Sequence, residues 1–193
     1  MKHSSTRELF AYWDTRRNDR LAPERADIEP GDIRRALGDT FIIDCDRPGY
    51  PFRLAGTKVC ALFGRELKGE SFTTLWAPQS LKPFADLLAT VIVETAGAVA
   101  SVSGETGDHE TMDLEMLLLP LAGQGTTVRL IGSLSPMVIP YWLGVRPLQS
   151  LTLGGLRHVG PAVDSIAAPR LVAGPANTQI RHGLVVYDGG RQD

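Results

Sequence analysis

Cysteine is scarce in this 193-residue sequence. Cys45 and Cys60 are the only two, too few for a disulfide framework and lacking the CxxC spacing of zinc or dithiol sites. Both are expected as small core residues. Excess positive charge is missing as well: 20 Lys and Arg stand against 22 Asp and Glu, for a net charge of -2 and a pI near 6.1. Such a chain projects no field that would gather a phosphate backbone, so nucleic acid is not an expected partner. No long apolar run is present either. Arg7 and Glu8 break the start MKHSSTRELFAYW before a signal-peptide core can form. Glu94 and Gly97 break Leu87 to Ser103, which reads as a helix followed by a strand rather than a membrane span. A cytoplasmic protein that does not engage membranes is expected. The chain also lacks G-x-S-x-G, P-loop and HExxH patterns and any internal repeat, and no nucleophile or acid–base pair is set up, so an enzyme is not expected.

What remains is an ordinary globular composition, 43% hydrophobic, 22% charged and 7% aromatic, at a length suited to one cored domain with flanking arms. A first helix is expected with Thr6 as its cap and Leu9, Phe10 and Trp13 on one stripe. Pro30 and Gly38 mark off a second, short helix. Phe41 to Cys45 and Phe52 to Ala55 read as a hairpin around the turn DRPGYP. Leu81, Phe84, Ala85, Leu88, Val91 and Ile92 recur at helical spacing, with Pro78 in the first turn and Gly97 past the end.

Three strands follow as a meander. Val99 to Ser103 leads through a polar turn into Met112, Leu114, Met116 and Leu118, which alternate with Asp113 and Glu115. Leu117 and Leu119 make the second face apolar too, so the back of the sheet needs a cover, and the Trp13 helix supplies it. A Gly123-Gln124-Gly125 turn returns the chain as Val128 to Leu134. Leu148, Leu151 and Leu153 indicate one further extended piece, and from Gly160 the Pro- and Gly-punctuated sequence reads as a tail.

Strand, strand, short helices, long helix and three antiparallel strands is the order of a PAS domain. Leu62-Phe63-Gly64, Glu66-Leu67 and Gly69 resemble the LFGY…EEL.G core of many PAS sensors. Leu9-Phe10-x-Tyr12-Trp13, the segment from Leu21 to Pro30, and Phe52 through Trp76 resemble an alphaproteobacterial family of stand-alone PAS-like proteins. The resemblance implies an α+β fold with a five-stranded antiparallel sheet and helices on one face. The division expected is a helical arm at 1–38, a PAS-like core at 39–145, and a C-terminal extension at 146–193 that is partly extended or flexible. It further implies a pocket between sheet and helices and a sensory or regulatory role, with a homodimer, a small-molecule ligand and a regulatory protein as partners. A ligand-free interaction scaffold is the alternative.

Within that frame the residues expected to line the pocket are Leu54, Phe63, Phe72, Trp76, Phe84, Leu88, Met112, Met116 and Leu134, with Arg53 and Thr57 as nearby polar groups. Leu9, Phe10 and Trp13 are the expected dimer interface. Haem is disfavoured because Pro78 to Ala96 contains no His to serve as an axial ligand. A photoreactive flavin of the LOV type is disfavoured because Gly69 is followed by Glu-Ser-Phe, while Cys60 lies upstream in the short helix. Asp108, His109, Glu110 and Asp113 form the densest group of metal-capable side chains, but a hairpin turn solvates them, so no metal is expected.

Overall fold

In chain order the computed structural model contains α1 (Ser4–Arg17), β1 (Thr40–Asp44), β2 (Phe52–Ala55), α2 (Thr57–Phe63), α3 (Pro78–Val93), β3 (Gly97–Thr106), β4 (Thr111–Leu121), β5 (Arg129–Pro136) and β6 (Leu148–Val159). A two-stranded pair, β7 (Gln179–Arg181) and β8 (Leu184–Val186), follows. The structure describes residues 1–123 and 128–160, together with the backbone of that pair. The Gly123-Gln124-Gly125 turn and the packing of the tail beyond Gly160 therefore fall largely or wholly outside the described residues.

The sheet runs β2-β1-β5-β4-β3-β6 and is antiparallel throughout. It has six strands where five were expected. The sixth is β6, which pairs with β3 along its length. Its inward residues Leu148 and Leu151 are three apart rather than two, because Gln149 is an extra residue opposite the Glu105/Thr106 step. Gly154 and Gly155 together oppose Ser101 in a second bulge. Each bulge shifts the phase of a strand, so β6 carries no regular alternation along its sequence.

The alternation in β4 divides the core in two. Met112, Leu114, Met116 and Leu118 face one cluster with the residues of α2 and α3, whereas Leu117, Leu119 and Leu121 face a second with Leu9 and Trp13 of α1. The first helix is thus the cover that Leu117 and Leu119 require. Its start is capped by His3 rather than Thr6: the His3 Nδ1 accepts the Ser5 N–H at 3.2 Å. Thr6 lies buried inside the helix instead. Trp13 donates its indole N–H to the Pro120 carbonyl at 2.8 Å, which seats α1 across the sheet.

Between α1 and β1 the expected second helix is replaced by single 3₁₀ turns at Arg25–Asp27, Pro30–Ile33 and Leu37–Asp39. Pro30 does occupy the first turn of its segment. The long helix α3 begins at Pro78 as its sequence requires, and buries Phe84, Leu87, Leu88 and Val91. Gly132 on β5 is demanded by packing. A Cβ there would lie 2.3 Å from the Leu117 carbonyl oxygen and 2.5 Å from the Phe41 ring, which crosses the strand at that point.

Candidate functional site

The interior between the sheet and α2–α3 is built from rings delivered by separate elements. Phe41 comes from β1, Phe52 from β2, Phe72 from a 3₁₀ turn (Phe72–Leu75), Trp76 from the residue that closes it, and Phe84 from α3. Trp76 stacks on Phe84 with centroids 4.3 Å apart and planes 23° from parallel. Phe72 lies 4.8 Å from both Phe52 and Phe84 and 5.3 Å from Phe41, edge-on to the last two. These are the spacings of mutually packed aromatic rings.

Phe63, Phe72, Trp76, Phe84, Leu88, Met112, Met116 and Leu134 converge in this one cluster. Leu54 does not, and its expected place is corrected. Phe52 and Leu54 have the parity of one face, yet Phe52 packs with the aromatic cluster and Leu54 packs toward α1. The cause is a bulge: Leu54 pairs with Ile42 while Phe52 pairs with Ile43, leaving Arg53 as the extra residue. Arg53 accordingly lies outside the interior, with its guanidinium 3.7 Å from Asp44, which also accepts from Arg129 at 3.0 Å. Thr57 is exposed in the first turn of α2, on an open surface groove with Arg34, Arg35 and Lys58.

The sequence reading passed over Phe41, Phe52 and Trp142 as members of this cluster. The first two were visible only as strand residues. Trp142 reaches the cluster from the connection between β5 and β6 and is buried there. A tryptophan set between Pro140 and Gly144 in an otherwise open stretch was the available signal.

Polar chemistry in this interior is sparse. Ser80 of α3 accepts the Leu153 N–H at 3.0 Å, and the Ala77 N–H donates to the Leu151 carbonyl at 2.9 Å, so these groups tie α3 to the outer edge of β6. Among the aromatic rings one polar group is left over. The indole Nε1 of Trp76 is buried and has no hydrogen-bond partner among the described residues. An unmet buried donor costs about 1–3 kcal/mol, and a carbonyl or hydroxyl oxygen brought to it would recover that energy.

Neither thiol is poised for chemistry. Burial, followed by the charges of Asp44 and Asp46, pushes Cys45 up to about 12. Burial also raises Cys60, whose thiol faces the Glu66 carboxylate at 3.5 Å. Both therefore stay protonated near neutral pH. The polar turn disperses its groups as well: His109 pairs with Glu105 at 2.5 Å, while Arg146 lies 3.7 Å from Asp108 and from Glu110.

The opposite face of the sheet is polar by comparison. Glu115, buried on β4, accepts the Lys2 N–H at 2.7 Å and the His3 N–H at 2.9 Å. Burial raises this carboxyl, but the two backbone donors, together with the Thr6 hydroxyl and the N-terminal charge, outweigh burial and hold it below the usual range. Ser5 donates to Asp39 at 2.7 Å, and Lys58 donates to the same oxygen at 2.9 Å. Leu9 and Trp13 are completely buried on this side within their own chain, so of the three expected interface residues only Phe10 keeps exposed surface.

This arrangement has a family. A family model described as PAS domain matches residues 1–135, and the chain belongs to that family. It is therefore a domain of a class that generally serves sensing and signalling. No curated protein matches the chain. Among solved structures, it is similar to the light-state blue-light photoreceptor Aureochrome1 LOV at 18% identity, covering 55% of this chain and 86% of that one, with a TM-score of 0.44. It is similar to the Rhodobacter sphaeroides LOV protein at 17% identity, covering 54% and 65%, with a TM-score of 0.41. An RNA-binding light-oxygen-voltage receptor is similar at 18% identity, covering 60% of this chain and 34% of that one, with a TM-score of 0.44.

Proposed function

We propose that this PAS domain is a cytoplasmic sensory module that takes a small, uncharged ligand into the aromatic interior and passes its state on through protein contacts. The observation that carries the reading is the unmet Trp76 indole donor amid apolar walls. A ligand offering one oxygen acceptor and a flat or aliphatic body satisfies both features, whereas an ion would forfeit its hydration for a single neutral donor. Entry requires the Trp76–Phe84 stack to separate, so binding favours a second arrangement of α3 against the sheet. A regulatory protein that distinguishes the two arrangements completes the signal. No described helix is long and apolar enough to cross a membrane.

The close ring packing favours a second reading, a scaffold with a filled core that only docks partners. Native mass spectrometry of freshly purified protein, with denaturing release and identification of whatever is bound, separates the two. The sensor reading predicts a reproducible added mass that the Trp76→Phe variant loses. A protein that stays at its bare mass both as purified and after incubation with a library of small uncharged acceptors would make the scaffold the better account.

A further inference from the structure

Large apolar side chains that remain exposed among the described residues are concentrated in the connection between β5 and β6. Val138, Ile139, Tyr141 and Val145 are between 74% and 87% exposed, and Met137 beside them is 37% exposed. The segment is anchored along its length. Its first N–H, from Met137, donates to the Asp113 carbonyl at 2.9 Å, and the N–H groups of Val145 and Arg146 both donate to the Trp142 carbonyl at 3.0 Å. Trp142 itself is buried in the aromatic core. The connection thus plants Trp142 inside, packs Leu143 partly against the same cluster, and holds Val138, Ile139, Tyr141 and Val145 toward water, a placement that burial against another surface would relieve.

We propose that Val138, Ile139, Tyr141 and Val145 form the centre of a two-fold contact with a second copy of this chain. Together with Met137 these residues expose roughly 700 Å² of total surface, near the ~800 Å² per partner of a standard interface. The rim carries both signs of charge. Within one chain Arg146 stands 3.7 Å from both Asp108 and Glu110, and a two-fold arrangement brings both signs of this exposed set opposite their copies. The first helix offers little competition, because Leu9 and Trp13 are spent within their own chain. This inference is independent of the ligand reading and stands or falls apart from it.

The test is sedimentation velocity of the full chain across a concentration series, for wild type and for Ile139→Asp, Tyr141→Ser and Phe10→Ser. A wild-type dimer is expected. Ile139→Asp should raise its dissociation constant roughly thirtyfold or more, the size of a hot-spot loss, with Tyr141→Ser in the same direction and Phe10→Ser close to wild type. Thermal unfolding of each variant verifies the fold; if Ile139→Asp loses its cooperative transition, Tyr141→Ser decides. A wild type that sediments as a monomer at every concentration overturns the proposal, as does a dimer that Phe10→Ser breaks and the two loop variants leave intact. Either result would assign the patch to some other surface, or the dimer to α1.

Discussion

Trp13 is buried on one face of the sheet and Trp76 on the other, and the two are held in opposite ways. On the α1 face Trp13 donates to Pro120, Glu115 collects the N–H groups of Lys2 and His3, and Asp39 accepts from Ser5 and Lys58. Directional bonds of that kind specify one seating of the helix. On the other face Trp76 rests on Phe84 with its donor unmet, among rings and aliphatic chains that impose contact but few directions. Apolar packing of similar volume tolerates rearrangement more readily than a hydrogen-bonded array. The comparison teaches where change is cheapest: the α1 side acts as the fixed wall, and the aromatic side is where the proposed ligand would enter.

The sharpest way to break the comparison is to empty the aromatic side. Phe84→Ala removes the ring that stacks on Trp76 and meets Phe72 and Tyr50 edge-on, and should cost about 3–5 kcal/mol in urea unfolding. A loss below about 1 kcal/mol would mean that the rings are not packed as described.

The α1 face should yield to a smaller but pH-dependent blow. Glu115→Ala strands the Lys2 and His3 donors and should cost about 2–3 kcal/mol at neutral pH. Because the folded carboxyl titrates below its ordinary value of 4.5, its contribution is complete above that value and is lost as pH falls through the lower folded value. The wild-type and variant stability profiles should therefore converge on acidification. Parallel profiles down through the acid limb would show that Glu115 does not latch α1.

Smallest of all is the effect expected at Leu54. It packs only partly, and on the α1 side, so Leu54→Ala should cost about 1–2 kcal/mol and leave any ligand uptake unchanged. If the substitution alters the mass of bound ligand, the bulge at Arg53 does not direct Leu54 away from the interior.

Leu54 also shows how far sequence reading reaches. Regular periods were legible: β4 displayed its two faces, α3 its start at Pro78, and α1 its role as the back cover. Both errors of strand reading trace to bulges. One turned Leu54 to the other face, and two in β6 broke the alternation, so that only the extended piece at Leu148, Leu151 and Leu153 was legible and not the full length of a sixth sheet strand. A bulge inserts a residue without a composition signal, and its effect on every later side chain is a matter of phase. The unmet donor was beyond reach for a different reason. Two tryptophans differ in hydrogen bonding only through what the fold brings to their nitrogens, and residue type says nothing of that.

The most direct test therefore sets these two tryptophans against each other. In ligand-stripped protein, Trp13→Phe and Trp76→Phe both trade an indole for a phenyl ring, but the first strands the Pro120 carbonyl while the second removes a donor that had no partner. Urea unfolding of the pair should show Trp13→Phe to be the more destabilised by about 1–3 kcal/mol. Equal losses, or a greater loss at Trp76, would mean that the Trp76 indole is already satisfied in the ligand-free protein and would contradict the account of it as the ligand's anchor.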